Sequence, residues 1–498
     1  MADSQRVPEP HDGTDELAYA LVTPYSLHKS RTGGILARLL WANVKLVAAR
    51  MYAPHPGSGF IRKYCDAIYD PDEEEIPLNY QKLIIRYVVE NFGKPNTRGI
   101  SNRLMLLVFR GPNAIDGISD AVGHIAQDVR GDNVRGTYGD YIHEEPANVP
   151  ESPAYQQKKR LMDRYPELED VELPPRKGTF FEPGVLTGST RRVTEKHLKL
   201  FRDYAYCDGG FVLEALDRVN PHEMESSLVI LKPESFRHRN PLPGNLIDFF
   251  ARAGMFMTAT RLLHLSVEKA REFYAAKLPQ FRQQLKDNVG EEARRAVRQA
   301  RQLADHIVDE MGAAADVARD PARAVELVRE VDELYNSREE PGKLKKPVAD
   351  RMFSELAERL TDLDPDESFY RELTEDLKEL NARTEFKELI KYMTGRNPET
   401  GEKVNPDEET VCLALLYSGE NAMERIRKRL KELREVYGQN ALQNRAHASD
   451  PDEEEDRDGS VMVLFRARYQ MFRFIDEFLT EGMPFTVMTD QRMWTDRL

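Results

Sequence analysis

Residues 226–265 have the sequence SSLVILKPESFRHRNPLPGNLIDFFARAGMFMTATRLLHL, and the fold class is predicted from the order of elements in this stretch. Its first eight residues predict a strand, residues 243–254 carry apolar side chains at helical spacing, and residues 255–265 predict a second strand. A third strand is predicted at 409–419, and a helix follows it. Strands and helices in this order predict an α+β sandwich, in which helices cover an antiparallel sheet.

The same order of elements occurs earlier in the chain. The earlier predicted strands lie at 18–24, 44–52 and 103–109. Both third strands end near a glycine that is followed two positions later by Asn-Ala, after Gly111 and after Gly419. We interpret this as an internal duplication. The predicted fold class is therefore α+β, with two ferredoxin-like β-α-β-β-α-β units that have antiparallel sheets.

A strongly helical segment interrupts the second unit. One predicted helix in it has an apolar stripe formed by Ala293, Ala296, Val297, Ala300, Ala304, Ile307, Val308 and Met311. Further helix starts are predicted at Asp320-Pro321 and Lys346-Pro347. The predicted domains are a first unit at 1–220, a second at 221–278 with 385–498, and an all-helical insertion at 279–384. We interpret the insertion as structural and without chemistry of its own.

Composition and charge limit the classes of function. The chain has 498 residues and a formal net charge of -14, which disfavours nucleic acid and anionic membranes as partners. The polar, acidic N-terminus and the absence of a long apolar stretch predict a cytoplasmic protein. The three scattered cysteines, Cys65, Cys207 and Cys412, agree with a reducing compartment. An acidic chain can still bind a phosphorylated ligand if its cations gather in one place.

Five residues of the second unit are candidates for phosphate chemistry. Lys232 ends the first strand, and a strand end can aim a lysine into a cleft beside the sheet. Arg427 and Arg434 are seven positions apart on a predicted helix, so they share one face. Asn444 and His447 follow three positions apart. Cationic side chains suit the oxygens of a triphosphate, and a neutral imidazole is a nucleophile near pH 7.

Each of these features is weak alone, but together they resemble the nucleoside diphosphate kinase family. Residues 444–450, NRAHASD, match that family's N-x-x-H-[GA]-S-D motif, and Arg434 lies ten positions before Asn444, as in the family. Residues 232–234, KPE, match its KPD-type motif. Residues 419–422 match its G-x-N helix start, and Arg427 follows that glycine by eight positions. The resemblance covers about 226–278 and 385–482.

The resemblance implies a ping-pong phosphoryl transfer. ATP would give its γ-phosphoryl group to His447, and a nucleoside diphosphate would then take it. Lys232, Arg427 and Arg434 would stabilise charge on the transferring group. Mg²⁺ would accompany the nucleotide, held mostly by phosphate and water, so no protein metal ligand is predicted.

The resemblance also assigns supporting roles. Tyr274 would hydrogen-bond to phosphate or within the site, and Asn444 would contact the sugar. Phe386 would stack on the base, with Phe281 as the alternative. Ser449 would orient the loop behind the imidazole. ATP and nucleoside diphosphates are thus the expected partners, and the duplicated units offer a surface for self-association.

The sequence leaves a second function open, that of a catalytically weak or inactive nucleotide-binding or scaffold protein that uses the helical insertion to bind partners. The segment between Arg427 and Arg434 is shorter than in the family, and Pro451 replaces a serine. The first unit is expected to be catalytically silent, because Thr23 stands where the lysine belongs. Its histidine position falls either near Asn148 or, after a long insertion, at 181–185, and neither has a histidine in register.

Overall fold

The structure, a computed structural model, describes residues 15–71, 77–97, 99–125, 131–141, 159, 163, 181–188, 190–205, 208, 210–216, 224–285, 288–311, 320–335, 344–361, 363–406, 408–438 and 445–448. The chain divides into two compact units. The first, here called the sheet unit, comprises 1–264 and 409–498. The second, the helical unit, comprises 265–408. The three sequence domains with boundaries at 220, 278 and 385 stay a prediction.

The sheet unit is built on one antiparallel sheet. Its strands, together with a small separate β4–β5 pair, are β1 (Glu16–Val22), β2 (Lys45–Tyr52), β3 (Leu104–Gly111), β4 (Asp140–Tyr141), β5 (Phe181–Glu182), β6 (Val185–Leu186), β7 (Glu225–Leu231), β8 (Phe256–Leu263), β9 (Cys412–Gly419) and β10 (Ala446–Ala448). Within the described residues the main sheet has eight strands in the order β10-β7-β9-β8-β2-β3-β1-β6. The α+β class predicted from the sequence is therefore confirmed as a mixed fold with an antiparallel sheet.

One row of paired residues crosses all eight strands. Its centre is the pair Arg50 and Arg261, which joins β2 to β8. From Arg261 the row continues through Ala414 and Ile230 to His447, and from Arg50 through Leu106 and Leu21 to Leu186. The two halves of the sheet are thus related by an approximate two-fold axis near its centre.

Helices of the sheet unit cover the sheet. Numbered along the whole chain, they are α1 (Pro24–His28), α2 (Thr32–Leu39), α3 (Phe60–Ile68), α4 (Leu78–Asn91), α5 (Ala114–Val122), α6 (Val134–Tyr138), α7 (Arg191–Ala205), α8 (Leu242–Ala251) and α15 (Ala422–Tyr437). Strand β1 shows how its residues divide between the two faces, because successive side chains point to opposite sides of a strand. Ala20 and Val22 join the core beneath α2, α5, α8 and α15, whereas Tyr19 and Leu21 join the one beneath α3, α4 and α7.

Helix α5 begins later than the sequence predicted. Residues 112–123, PNAIDGISDAVG, predict a helix with Pro112 in its first turn, but α5 begins at Ala114. Asn113 adopts a left-handed conformation with φ 52°, which helical residues do not have, so Pro112 lies outside the helix. The second half repeats the arrangement, because Asn421 has φ 50° and α15 begins at Ala422.

Two glycines bring the halves together where α2 crosses α8. A Cβ atom on Gly33 would lie 2.4 Å from the backbone nitrogen of Asp248, and one on Gly244 would lie 2.3 Å from that of Ala37. Real Cβ atoms do not come this close to backbone, so only glycine allows the two helices to approach to this distance. The reciprocal contacts follow the same approximate two-fold axis as the sheet.

The helical unit has a separate core. Its helices are α9 (Val267–Tyr274), α10 (Leu278–Gln283), α11 (Asn288–Met311), α12 (Pro321–Tyr335), α13 (Lys346–Arg359) and α14 (Glu367–Thr394). The predicted stripe on α11 is buried from Ala293 to Ala304, and Ile307 and Val308 pack at the edge of the core. The side chain of Met311 lies outside the described residues. Residue 385 falls inside the continuous helix α14.

In the part of the chain that the structure describes, no helix combines the length and the apolar character that spanning a membrane requires.

Candidate functional site

His447 lies on an edge strand of the sheet. Strand β10 runs antiparallel to β7, with Ala446 opposite Leu231 and His447 opposite Ile230. Ala446 and Ala448 are buried in the core beneath the helices. Because side chains alternate along a strand, the half-buried imidazole lies on the opposite face. The same face carries Leu186 at the other end of the row.

The backbone places Lys232 beside His447. The N–H of Lys232 donates to the carbonyl oxygen of Arg445 over 2.8 Å, which continues the β7–β10 pairing by one residue. Lys232 has φ -81° and ψ 161°, so the chain stays extended and its side chain shares the face of Ile230 and His447. Lys232 and His447 are therefore diagonal neighbours, and residues so related lie about 7–8 Å apart.

Helix α15 brings arginines to the same edge. Arg434 lies in the last turn, and its Nη2 donates to the carbonyl oxygen of Ala446 over 3.2 Å. Leu433 and Ile426 are buried against the sheet, and Arg434 and Arg427 each follow one of them. The two arginines thus lie on the same side of the buried face of the helix, about 10 Å apart along its axis.

Two residues that the sequence analysis did not single out complete this edge. The N–H of Arg445 donates to Oε1 of Glu234 over 2.8 Å, and Nε of Arg445 donates to the carbonyl oxygen of Tyr437 over 2.9 Å. Burial raises the pKa of Glu234, while the backbone donors and the charges of Lys232 and Arg445 partly offset that rise. The signal for Glu234 was its place in the KPE motif, beside the lysine.

A thiol lies on the other side of Lys232. In the β7–β9 pairing Leu231 is opposite Leu413, so the next position in register places Cys412 opposite Lys232. Burial raises the pKa of the Cys412 thiol, and the charge of Glu234 raises it further. The thiol is therefore protonated at neutral pH and acts as a small apolar side chain. Cys207 lies outside the described residues.

The remaining predicted site residues have other placements. Asn444 and Ser449 lie outside the described residues. Tyr274, Phe281 and Phe386 belong to the helical unit. Tyr274 is buried at the end of α9, with its ring edge-on to that of Phe273 at 4.8 Å. Phe386 is half-buried in α14, and the carbonyl oxygen of Phe281 accepts from Nδ2 of Asn381 over 3.1 Å.

The other end of the sheet has the same backbone without the same chemistry. There the N–H of Thr23 donates to the carbonyl oxygen of Gly184 over 3.2 Å, and Arg135 reaches the carbonyl oxygen of Val185 over 3.5 Å. These contacts correspond to those of Lys232, Arg445, Arg434 and Ala446. Thr23 thus stands in the place of Lys232, and Leu186 in the place of His447. Of the two registers considered from the sequence, the structure places strand β6, immediately after 181–184, beside β1.

The arrangement suits a multiply charged anion near an imidazole. Lys232 shares the face of His447 at the end of β7, and Arg434 hydrogen-bonds to the strand that carries His447. Among the described residues there is no cluster of three or more His, Cys, Asp or Glu side chains able to hold a metal ion.

No protein-family model matches the chain, and no characterised protein shows significant sequence similarity to it.

Proposed function

We propose that this protein is a nucleoside diphosphate kinase that works through a phosphohistidine on His447. The observation that carries the proposal is the shared face of Lys232 and His447 at the sheet edge, with Arg434 hydrogen-bonded to the same strand. A lysine and an arginine around a half-buried imidazole are what phosphoryl transfer to histidine needs.

The strand order supports the proposal that the sheet consists of two ferredoxin-like units. In one half β10, β7, β9 and β8 are the fourth, first, third and second strands along the chain. In the other half β6, β1, β3 and β2 follow the same order. In this proposal the first half is silent, because it lacks the histidine and the lysine. The pairing of the halves within one chain then resembles a dimer.

The chemistry would proceed in two transfers. An imidazole nitrogen of His447 attacks the γ-phosphorus of MgATP, the P–O bond to the β-phosphate breaks, and MgADP leaves with that bonding pair. A nucleoside diphosphate then attacks the phosphohistidine with its terminal phosphate oxygen, and the N–P bond breaks. Lys232 and the two arginines stabilise the charge on the phosphoryl oxygens in both steps. The supporting roles of Tyr274, Asn444, Phe386 and Ser449 stay predictions from the family resemblance.

A second candidate, a weak or inactive nucleotide-binding scaffold, is favoured by one observation. Helix α15 runs unbroken from Ala422 to Tyr437 and carries both Arg427 and Arg434. The family that the sequence resembles has a longer segment between the corresponding arginines, and the phosphate contacts of that segment are missing here. In this alternative the helical unit would bind partners.

The deciding experiment uses ATP labelled at the γ-phosphate. We expect the protein with Mg²⁺ to take up acid-labile, base-stable label and to lose it to added GDP. His447→Ala should take up none, whereas His238→Ala, at an exposed histidine of the same unit, should behave as wild type. If folded wild-type protein stays unlabelled, the kinase proposal fails and nucleotide-dependent thermal shifts test the scaffold instead.

A further inference from the structure

A buried carboxylate lies directly behind the strand that carries His447. Glu234 is 9% exposed and sits in the short helical turn Pro233–Ser235 that follows β7. Its Oε1 accepts the backbone N–H of Arg445. Within the described part of the chain, its Oε2 has no hydrogen-bond partner. A buried carboxylate oxygen without a hydrogen bond costs free energy, so the carboxylate depends on the backbone N–H groups that it does bind, that of Arg445 among them.

That contact fixes an unusual backbone conformation. Arg445 has φ 71°, in the left-handed region that favours glycine. The neighbouring structure holds it there at three points: Glu234 accepts its N–H, Lys232 donates to its carbonyl oxygen, and Tyr437 accepts from its side chain. Two residues later comes His447. The direction in which β10 leaves Arg445 therefore decides where the imidazole lies.

The other half of the sheet has an equivalent contact between a carboxylate and a residue with positive φ. Gly184 has φ 70°, its N–H donates to Oε1 of Glu182 over 2.8 Å, and its carbonyl oxygen accepts from Thr23. In that half the glutamate precedes the left-handed residue by two positions, whereas Glu234 comes from the turn after β7. A carboxylate thus holds this N–H in both halves, although different parts of the chain supply it. The recurrence indicates that the contact sets the course of the edge strand.

We propose that Glu234 is a positioning residue for His447, acting through the N–H of Arg445 to hold β10 in register with β7. The inference rests on the proposed phosphoryl transfer at His447 for its catalytic meaning. The effect of Glu234 on the orientation of the imidazole does not depend on that function. The atom of Glu234 that holds the strand is Oε1, which accepts the N–H of Arg445.

Two substitutions of similar length separate the acceptor from the volume of the side chain. Glu234→Gln keeps an oxygen that can accept the N–H of Arg445, and Glu234→Met removes it while filling the same space. In single-turnover phosphorylation by MgATP, we expect the Gln variant to stay close to the wild-type rate. The Met variant should be slower by about 100-fold with the half-saturating nucleotide concentration unchanged, because a small misplacement of a reacting group costs this much.

A second readout does not depend on turnover. The ring signals of His447, followed by NMR through a pH titration and assigned with His447→Ala, should shift in Glu234→Met and remain in place in Glu234→Gln. The matched control is Glu182→Met, which removes the same contact from the silent half and should leave the His447 signals unchanged. Thermal melts establish that each variant is folded.

Failure of the proposed function and failure of the positioning role give different results. If wild-type protein takes no phosphoryl group from ATP, the proposed function fails, and the ring signals still decide the positioning role. The positioning role is overturned if Glu234→Met leaves those signals as in wild type, if Glu234→Gln moves them as far, or if Glu182→Met does so.

Discussion

His447 and Leu186 occupy the two ends of one row of paired residues that crosses the whole sheet. Seven strand spacings of about 4.8 Å separate them, or about 34 Å along the sheet. The backbone around both residues makes the same hydrogen bonds, so the difference between the two ends lies in the side chains. This relationship allows each chemical requirement of the proposed site to be tested against a matched position in the same molecule.

The first prediction concerns the cation beside His447. Lys232→Met keeps the buried stem of the side chain and removes its charge, so we expect the rate of His447 phosphorylation by MgATP to fall by about 100-fold or more. Rapid-quench measurement of the labelled protein provides the test. Lys45→Met, at an exposed position that begins β2, serves as the control and should leave the rate unchanged. Equal rates for wild type and Lys232→Met would remove Lys232 from the mechanism.

A second prediction concerns a histidine placed at the Leu186 end of the row. In the His447→Ala background, Leu186→His should take up no label from ATP, because Thr23 stands at the position of Lys232 and its hydroxyl donates to the carboxylate of Glu182. Leu186 is 2% exposed in an aromatic core. Burial of an imidazole there without a partner should lower the free energy of unfolding by about 1–3 kcal/mol. Leu186→Met controls for volume, and label on Leu186→His would contradict the prediction.

The third prediction tests the close contact between α2 and α8. Gly33→Ala places a methyl group within 2.4 Å of the backbone nitrogen of Asp248. We expect the free energy of unfolding, measured by urea titration, to fall by about 1–3 kcal/mol, as overpacked sites usually show. Gly57→Ala is the matched control, because the nearest atom to its new methyl group is a histidine Nδ1 at 3.5 Å. A Gly33→Ala variant as stable as wild type would show that the helices separate at no cost.

A fourth prediction follows from the buried imidazole of His197. Its Nδ1 lies 2.6 Å from the hydroxyl oxygen of Tyr19, and its Nε2 lies 3.0 Å from the carbonyl oxygen of Tyr64. A carbonyl cannot donate, so Nε2 carries the proton and Nδ1 accepts. Burial lowers the pKa of His197 to about 4. The folded state thus holds the ring neutral at pH values where the unfolded chain protonates it.

The sign of the resulting pH dependence is fixed. The unfolded chain binds this proton below about pH 6.5, and the folded protein does so only near pH 4, so stability falls as the pH falls through that window. Between pH 7 and pH 5 we expect wild type to lose about 2 kcal/mol more than His197→Gln, in urea titrations at each pH. Equal losses would show that the imidazole is not held neutral.

The sequence predicted individual elements better than their assembly. Strands such as β7 and helices such as α11 follow from local periodicity, because burial on one face imposes it. The pairing of Arg50 with Arg261, which joins the two halves, could not be predicted. It depends on the close contact of two helices at Gly33 and Gly244, which lie far apart in the sequence. Strand β6 has two residues and carries no periodic signal of its own.

The site was predicted in part for a similar reason. Lys232, Arg434 and His447 belong to motifs with fixed spacing, and the register of β7 and β10 brings them together. The role of Glu234 depends on the left-handed conformation of Arg445, and an arginine gives no sign of that conformation in the sequence. Contacts that depend on an unusual backbone angle become visible only in three dimensions.

The covalent connection between the two halves has an evolutionary consequence. In a pair of identical subunits, every substitution appears at both ends of the sheet. A histidine could therefore not be replaced by an apolar residue at one end without being lost at the other. A single chain has no such obligation. One end can therefore carry Leu186, packed in an apolar core, while the other carries a histidine, and each position can change without the other.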